Sequence, residues 1–226
     1  MSLAASPDGD RPNGPRSRKG ARTRGRILDA AKEIFEENGF LDARISDIAD
    51  RAGLSHGSFY HYFDSKEEIF REIATVVDER LSAPLSAVIL DPNSHAAPRE
   101  RIHEALRLYF ESYRDEARIM GVIEQVSRYD EEVGALRQAR TRHYADQIAE
   151  SIRQMQVRGL ADPKLEPNVA ATALGTMTMR FAESWLVEGT VDCTFESAVE
   201  QLTLLFVNAM RSGTPVGARL RRRAPR

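Results

Sequence analysis

The segment Ile45 to Lys66, ISDIADRAGLSHGSFYHYFDSK, leaves a chain few ways to fold. Ile45, Ile48, Ala49 and Ala52 recur at helical spacing, which predicts a short helix with one apolar stripe. Gly53 follows where a helix can stop and turn, because glycine accepts a positive φ without a Cβ clash. Leu54 plugs the turn, and the Ser55 hydroxyl can accept from the first N–H groups of a second helix, His56 to Phe63. In that helix Phe59 and Phe63 share the inner side, while His56, Ser58, Tyr60, His61 and Tyr62 fall on or near the outside. Crowding imidazoles, hydroxyls and phenols on a solvent face gains a globular protein nothing. A surface that lies in a DNA groove gains donors and acceptors for base edges and phosphates. The arrangement is a helix-turn-helix whose second helix is the reader. The bland alternative is a polar-aromatic face for a protein partner.

The stretch AGLSHGSFYHYFDSKEEIF, preceded by ISDIADRAG and, further back, by RILDAAKEIFEENGF, resembles the N-terminal DNA-binding domain of TetR-type repressors over about residues 22–75. The resemblance implies that the first turn of helix 1, with Arg22, Arg24 and Arg26, lies near the DNA backbone, and that Lys66 holds a phosphate. It also exposes a departure. The position where the family usually carries a threonine that caps helix 2 and touches phosphate is Ala43. Asp42 is then the substitute cap, and Arg44 the substitute phosphate contact by charge. Within the reader, Gly57 allows the backbone near the DNA. Ser58 and His61, with His56 beside them, are the candidates for base edges. Ser55, Tyr60 and Tyr62 join Lys66 on phosphates.

Composition bounds the rest. The 226 residues carry a net charge of −2, one cysteine and 42% hydrophobic residues, enough for one large or two modest domains with real cores. The near-neutral total hides two basic ends, Arg16 to Arg26 and Arg219 to Arg226, balanced by acidic residues between them. Cys193 alone cannot form an intrachain disulfide, and no spacing resembles a zinc ligand set or a cofactor site. Without a long apolar run or a signal-peptide core, the expectation is a soluble, cytoplasmic protein with no membrane partner.

Taken in order, residues 1–20 are rich in proline and glycine and are expected to form a basic arm. Its charges either enter a minor groove or stay solvated. Residues 21–66 are the helix-turn-helix domain, with helix 1 over Thr23 to Asn38 ended by Gly39. Ser65 and Glu68 form a capping box for helix 4, whose pattern Pro84 is expected to break, followed by a loop over 84–98. Five further helices fill the domain 67–211. They include a long seventh from Glu131 to Arg158, an eighth opened by Pro167 and running to Glu188, and a ninth capped by Thr194. Residues 212–226 are read as a basic tail. The expected fold is all-α with about nine helices, in which helix 4 joins the reader to a helical ligand-binding and dimerisation domain.

In that second domain Tyr109, Tyr113, Met120, Ile123, Tyr144, Met177, Phe181 and Trp185 recur at helical spacing. Pattern alone favours plain core for such residues. The resemblance favours an effector cavity, since family members hold a ligand there, and a methionine-aromatic lining suits an apolar molecule. Arg180 either pairs with Glu183 or Glu124, the favoured reading, or holds an anionic ligand head. Leu174, Leu202, Leu205 and Phe206 on helices 8 and 9 are the candidate dimer interface, because the resemblance implies a four-helix bundle with a twin. One short reader makes too few contacts alone. Doubling it by symmetry matches a palindromic operator with readers about 34 Å apart. No serine or cysteine has a paired histidine and acid, so an enzyme is the least favoured class. The expected function is a ligand-responsive repressor acting on double-stranded DNA as a homodimer. The rivals are an effector-less architectural DNA binder and a helical scaffold or small-molecule carrier without DNA binding.

Overall fold

The computed structural model describes residues 18–89 and 96–211, so most of the expected arm, the middle of the expected loop and the basic tail lie outside the described residues. Among those described are nine α-helices, one π-helical turn and no strand. No helix among them is long and apolar enough to cross a membrane. The chain divides into two compact units. One runs to Leu81 and includes Ser112–Arg140; the other holds Ser82–Glu111 and continues from Thr141.

In the first unit, α1 (Arg18–Asp42) begins earlier than the expected Thr23, since the arginines, lysine and alanine before it are good helix formers. Gly39, at φ 74 and ψ 173, breaks it where the sequence placed its end. Phe40 then folds back, stacking on Phe35 at 5.7 Å and meeting the edge of Phe70 at 4.9 Å between ring centroids. α2 (Ile45–Arg51) has Arg44 as its N-cap with no side-chain cap bond. Asp42 therefore does not cap it: the cap position falls two residues later, and Ala43 in between is buried.

The turn after α2 closes by bonds from Gly53 N–H to the Asp50 carbonyl (3.0 Å) and from Leu54 N–H to the Ala49 carbonyl (2.9 Å). The backbone conformation at position 53 favours glycine. Its φ is 65, and a Cβ would lie 3.0 Å from Arg26 Nη2, whose guanidinium donates to the Ala52 carbonyl.

α3 is regular only over His56–Phe59, shorter than the expected His56–Phe63, but helical turns continue as Phe63 N–H donates to the Phe59 carbonyl at 3.2 Å. Phe59 and Phe63 are fully buried with Phe35, Phe70, Ile27, Ile48, Ile69 and Ile73, each such side chain worth roughly 2 kcal/mol in removed apolar surface.

α4 (Lys66–Ile89) starts as the capping pattern implies. Glu68 N–H donates to Ser65 Oγ at 3.0 Å, and the Glu68 carboxylate reaches back to Asp64 N–H at 2.6 Å. The helix passes through Pro84 instead of ending there. A proline removes one hydrogen bond and crowds one carbonyl, and the long helix that precedes it carries the defect.

The same unit contains α6 (Ala117–Val126) and the opening of α7 (Glu131–Val157). Glu116, the buried N-cap of α6, receives Lys32 of α1 at 3.2 Å and Arg80 of α4 at 2.8 Å, so one carboxylate joins three helices. Burial opposes the Lys32 charge. The hydrogen bond to Glu36 and the Glu116 charge outweigh it and hold the ammonium above its ordinary pKa of 10.5.

The second unit holds α5 (Pro98–Asp115) up to Glu111, α7 from Thr141, α8 (Pro167–Ala182), the π turn Glu183–Val187 and α9 (Phe195–Met210). Its starts and stops follow local rules. Gly159 ends α7 at φ 69, and Leu160 N–H donates to the Met155 carbonyl at 2.8 Å. Pro167 opens α8 behind a Glu166 cap that accepts from Val169 N–H at 2.7 Å. Thr194 Oγ1 accepts from Ser197 N–H at 3.2 Å to start α9. Phe110, Phe181, Trp185 and Phe195 form an aromatic cluster with ring spacings from 5.7 to 6.1 Å.

Candidate nucleic-acid interface and ligand cavity

α3 presents outward the side that the sequence assigned. Ser55, His56, Gly57, Tyr60 and His61 are exposed, and Ser58 and Tyr62 half-buried. Ser55 Oγ accepts from Ser58 N–H at 3.2 Å and lies 2.7 Å from Ser58 Oγ, which pins both hydroxyls at the start of α3. A Cβ at Gly57 would meet nothing within 4 Å, and no positive φ is recorded there. The fold itself does not demand glycine at this position, although a helical glycine costs about 1 kcal/mol against alanine. What Gly57 leaves is room for something outside the chain.

The basic residues divide into two groups. Arg24 pairs with Glu72 and sits 4.5 Å over the Phe63 ring; Arg26 is spent on the Ala52 carbonyl; Arg51 grips Glu33 and Glu37, each at 2.8 Å. Lys66 Nζ donates to the carbonyls of Phe40, Leu41 and Ala43. These cations staple the domain together. Arg18, Lys19, Arg22 and Arg44 are exposed. Of the helix-1 arginines placed near DNA by the resemblance, Arg24 and Arg26 are engaged by described residues of the unit, and Arg22 is exposed.

A cavity of about 80 Å³, open to solvent, lies in the second unit. α5 supplies Ile102, Ala105, Leu106 and Tyr109, and α7 supplies Tyr144, Ile148, Ile152 and Met155. Gly175, Thr178 and Met179 of α8 and Phe206 and Met210 of α9 close it. Arg101 and Ser151 are its other polar lining. Of the eight residues the sequence nominated, the structure brings Tyr109 and Tyr144 to this cavity, their rings edge to face at 6.0 Å. Tyr113, Met120 and Ile123 are buried in the first unit, where Ile123 lines a smaller hollow with Asp78, Arg137 and Arg140. Met177, Phe181 and Trp185 do not line the cavity; the last two belong to the aromatic cluster.

The missed residues Ile148, Ile152 and Met155 lie on one face of α7 with Tyr144. The 4–4–3 spacing was the signal that could have found them. Arg180 stays out of the cavity. It is exposed and pairs with Glu183 and Glu188, each at 2.9 Å, which raises its pKa. Burial and the neighbouring Asp192 push the Cys193 thiol above its ordinary value.

On α8 and α9, Leu174 (8% exposed), Leu202 (3%) and Phe206 (8%) pack inside the chain, whereas Leu205 is 52% exposed. Leu204, Val169, Ala173 and Ala209 share that exposure. The candidate interface residues thus fall on two sides of these helices, and Leu205 is the member available to a second molecule.

Comparison with known proteins gives the class, a helix-turn-helix transcriptional regulator. Residues 27–73 match the family of bacterial regulatory proteins named tetR, and residues 102–212 match the C-terminal domain of the transcriptional regulator EthR. The chain belongs to the TetR family. It is 41% identical over 73 residues to the HTH-type transcriptional regulator YdgC of Bacillus subtilis, a match spanning 32% of this chain and 37% of that protein. With the HTH-type transcriptional regulator EthR of Mycolicibacterium smegmatis it shares 24% identity over 208 residues, 90% of this chain and 95% of the other. Among solved structures, the fatty acid degradation regulator FadR from Bacillus halodurans superposes with a TM-score of 0.67 at 18% identity, covering 84% of this chain and 96% of that one.

Proposed function

We propose that this protein is a repressor that binds a palindromic DNA operator as a homodimer and is released by a small apolar or amphipathic effector. The observation that carries the reading is the outward polar side of α3. His56, Tyr60 and His61 are exposed together beside a glycine that the fold does not require. In the proposed complex Ser58 and His61, with His56, face base edges in the major groove. Ser55, Tyr60, Tyr62 and Arg44 face phosphates. The exposed side of α8 and α9, centred on Leu205, carries the two-fold contact with a second copy.

The effector belongs in the cavity between α5, α7, α8 and α9, where apolar walls exclude sugars and nucleotides in favour of a hydrocarbon-rich molecule. Release requires that the effector favour a DNA-incompetent state. A coupling of about 1–3 kcal/mol, or roughly 5–150-fold in operator affinity, is the usual range.

Selection of bound genomic fragments with the purified protein, followed by anisotropy titration with and without a panel of apolar metabolites, tests the reading. A repeated palindrome whose binding is weakened by a panel member supports it. A protein that recovers no duplex is a carrier or scaffold, and one that binds DNA indifferently to every metabolite is an architectural binder.

A further inference from the structure

We propose that the hollow between α4, α6 and α7 in the first unit is a binding site for a compact neutral molecule headed by a carbonyl, whose oxygen accepts hydrogen bonds from Arg140. The proposal goes beyond the repressor reading and needs no DNA to be judged.

The hollow follows from the way two helices are tied. On α4, Arg71, Ala74, Thr75 and Asp78 share one face by helical spacing. Arg71 reaches the start of α7 through Asp130 at 3.4 Å and Glu132 at 2.9 Å. Further along both helices Asp78 meets Arg140. Between these ties stand the small side chains of Ala74 and Val133, and about 50 Å³ stays open to solvent. Ile123 and Leu136 complete the apolar wall, while Thr75, Asp78, Arg137 and Arg140 supply the polar part. The Thr75 hydroxyl donates to the Arg71 carbonyl at 2.9 Å, so its hydrogen is already engaged.

Arg140 is the group that calls for a ligand. Its side chain is 9% exposed, and a guanidinium carries five N–H donors. Among the described residues Nη1 donates to the Met120 thioether sulfur at 3.7 Å, a weak acceptor. Asp78 Oδ1 lies 3.6 Å from Nε and Glu124 Oε1 lies 3.7 Å from Nη2. Both carboxylates balance the charge of Arg140, but at those distances neither accepts a proper hydrogen bond from it. Glu124 is drawn to Arg137 through its other oxygen. A buried, charged donor short of acceptors is costly, and an acceptor entering the hollow relieves that cost.

The charge count selects the kind of acceptor. Arg137 and Arg140 against Asp78 and Glu124 make a cluster with no net charge. A carboxylate would satisfy the donors but leave a net negative charge beside Asp78 and Glu124 in a half-enclosed space. A neutral carbonyl satisfies them without that penalty. The hollow has room for such a head and a few carbons, and Leu136, 37% exposed, offers apolar contact to the rest of the molecule.

Methyl NMR of the full chain, labelled on isoleucine, leucine and valine, reads the site locally through Ile123, Val133 and Leu136. The probes are acetophenone, benzoate and ethylbenzene, alike in size and differing in the head. Acetophenone is expected to shift the methyl signals of all three residues to saturation, with benzoate and ethylbenzene at least roughly ten-fold weaker there. Arg140→Met, which keeps an unbranched apolar stem, should lose at least roughly ten-fold in acetophenone affinity. Methyl signals that stay still under acetophenone overturn the proposal. So does benzoate or ethylbenzene binding as tightly as acetophenone, or an Arg140→Met protein that binds acetophenone like wild type. Should that variant not fold, the ranking of the probes on the wild-type protein decides. No DNA enters the titration, so failure of this site and failure of the repressor reading are told apart.

Discussion

His56 and Tyr60 meet edge to face on the outer side of α3, their ring centroids 5.4 Å apart and their planes at 75°. Residues one turn apart can steady each other in this way, and such a pair is worth about 0.5–1.5 kcal/mol beyond its burial. The exposed side of α3 proposed to read DNA is therefore partly organised by the chain itself. Tyr60→Ala, which removes both the hydroxyl and the partner ring, is expected to weaken operator and unrelated duplexes alike. His61→Ala should instead relax base preference at one position of each half-site, with roughly 1–3 kcal/mol of discrimination lost there. Anisotropy titrations on the operator and on singly substituted duplexes separate the two patterns.

The Glu116 carboxylate holds α1, α4 and α6 through Lys32 and Arg80 in a buried setting. Glu116→Ala leaves two cations without their shared counter-charge and should cost about 3–5 kcal/mol in urea unfolding. Lys32 adds a pH signature. Its folded-state pKa is raised above the ordinary 10.5, so its stabilising contribution is complete below that pH. It fades as pH climbs through the higher folded-state value, and a Lys32→Met protein should lack this alkaline loss.

Gly175 lies on the cavity wall, and a Cβ there would sit 3.6 Å from Ile148 Cδ1, an ordinary contact. Gly175→Ala is accordingly expected to fold well and to gain up to about 1 kcal/mol of helix stability. Gly175→Phe fills the space proposed for an effector. It should keep operator affinity while losing the response to any metabolite that releases wild type, as measured by titration of the protein–DNA complex.

Leu205 stands 52% exposed on α9, although leucine is usually found inside. Leu205→Glu should leave the fold of the chain unchanged and shift the assembly toward monomer in sedimentation velocity. Operator binding should then become steeply dependent on protein concentration.

Local rules were legible in the sequence. Ser65 with Glu68, Thr194, Pro167 and Gly159 each act within a few residues, and each marks a boundary the structure keeps. The inner and outer sides of α3 were legible for the same reason, because two phenylalanines four apart fix its rotation. Pro84 shows the limit of a local rule, since the helix continues through it.

The cavity was harder to read because α8 is apolar nearly all round. Met177 and Met179 lie about 200° apart on a helix, and only packing against α5 and α7 decides which one faces the space. The division of the basic residues was out of reach for a different reason. Whether Lys66 meets a phosphate or the Phe40 carbonyl depends on partners far away in the chain, and Arg24 finds Glu72 the same way.

The regular part of α3 ends at Phe59, and that brevity has a consequence for how a genome is searched. So short a probe can spell out only a few letters, and a chromosome repeats any word of that length by chance at a great many places. Pairing two probes at a set interval makes the coincidence rare, so that spacing becomes part of the address. Whatever alters the interval erases the address without touching a letter of it.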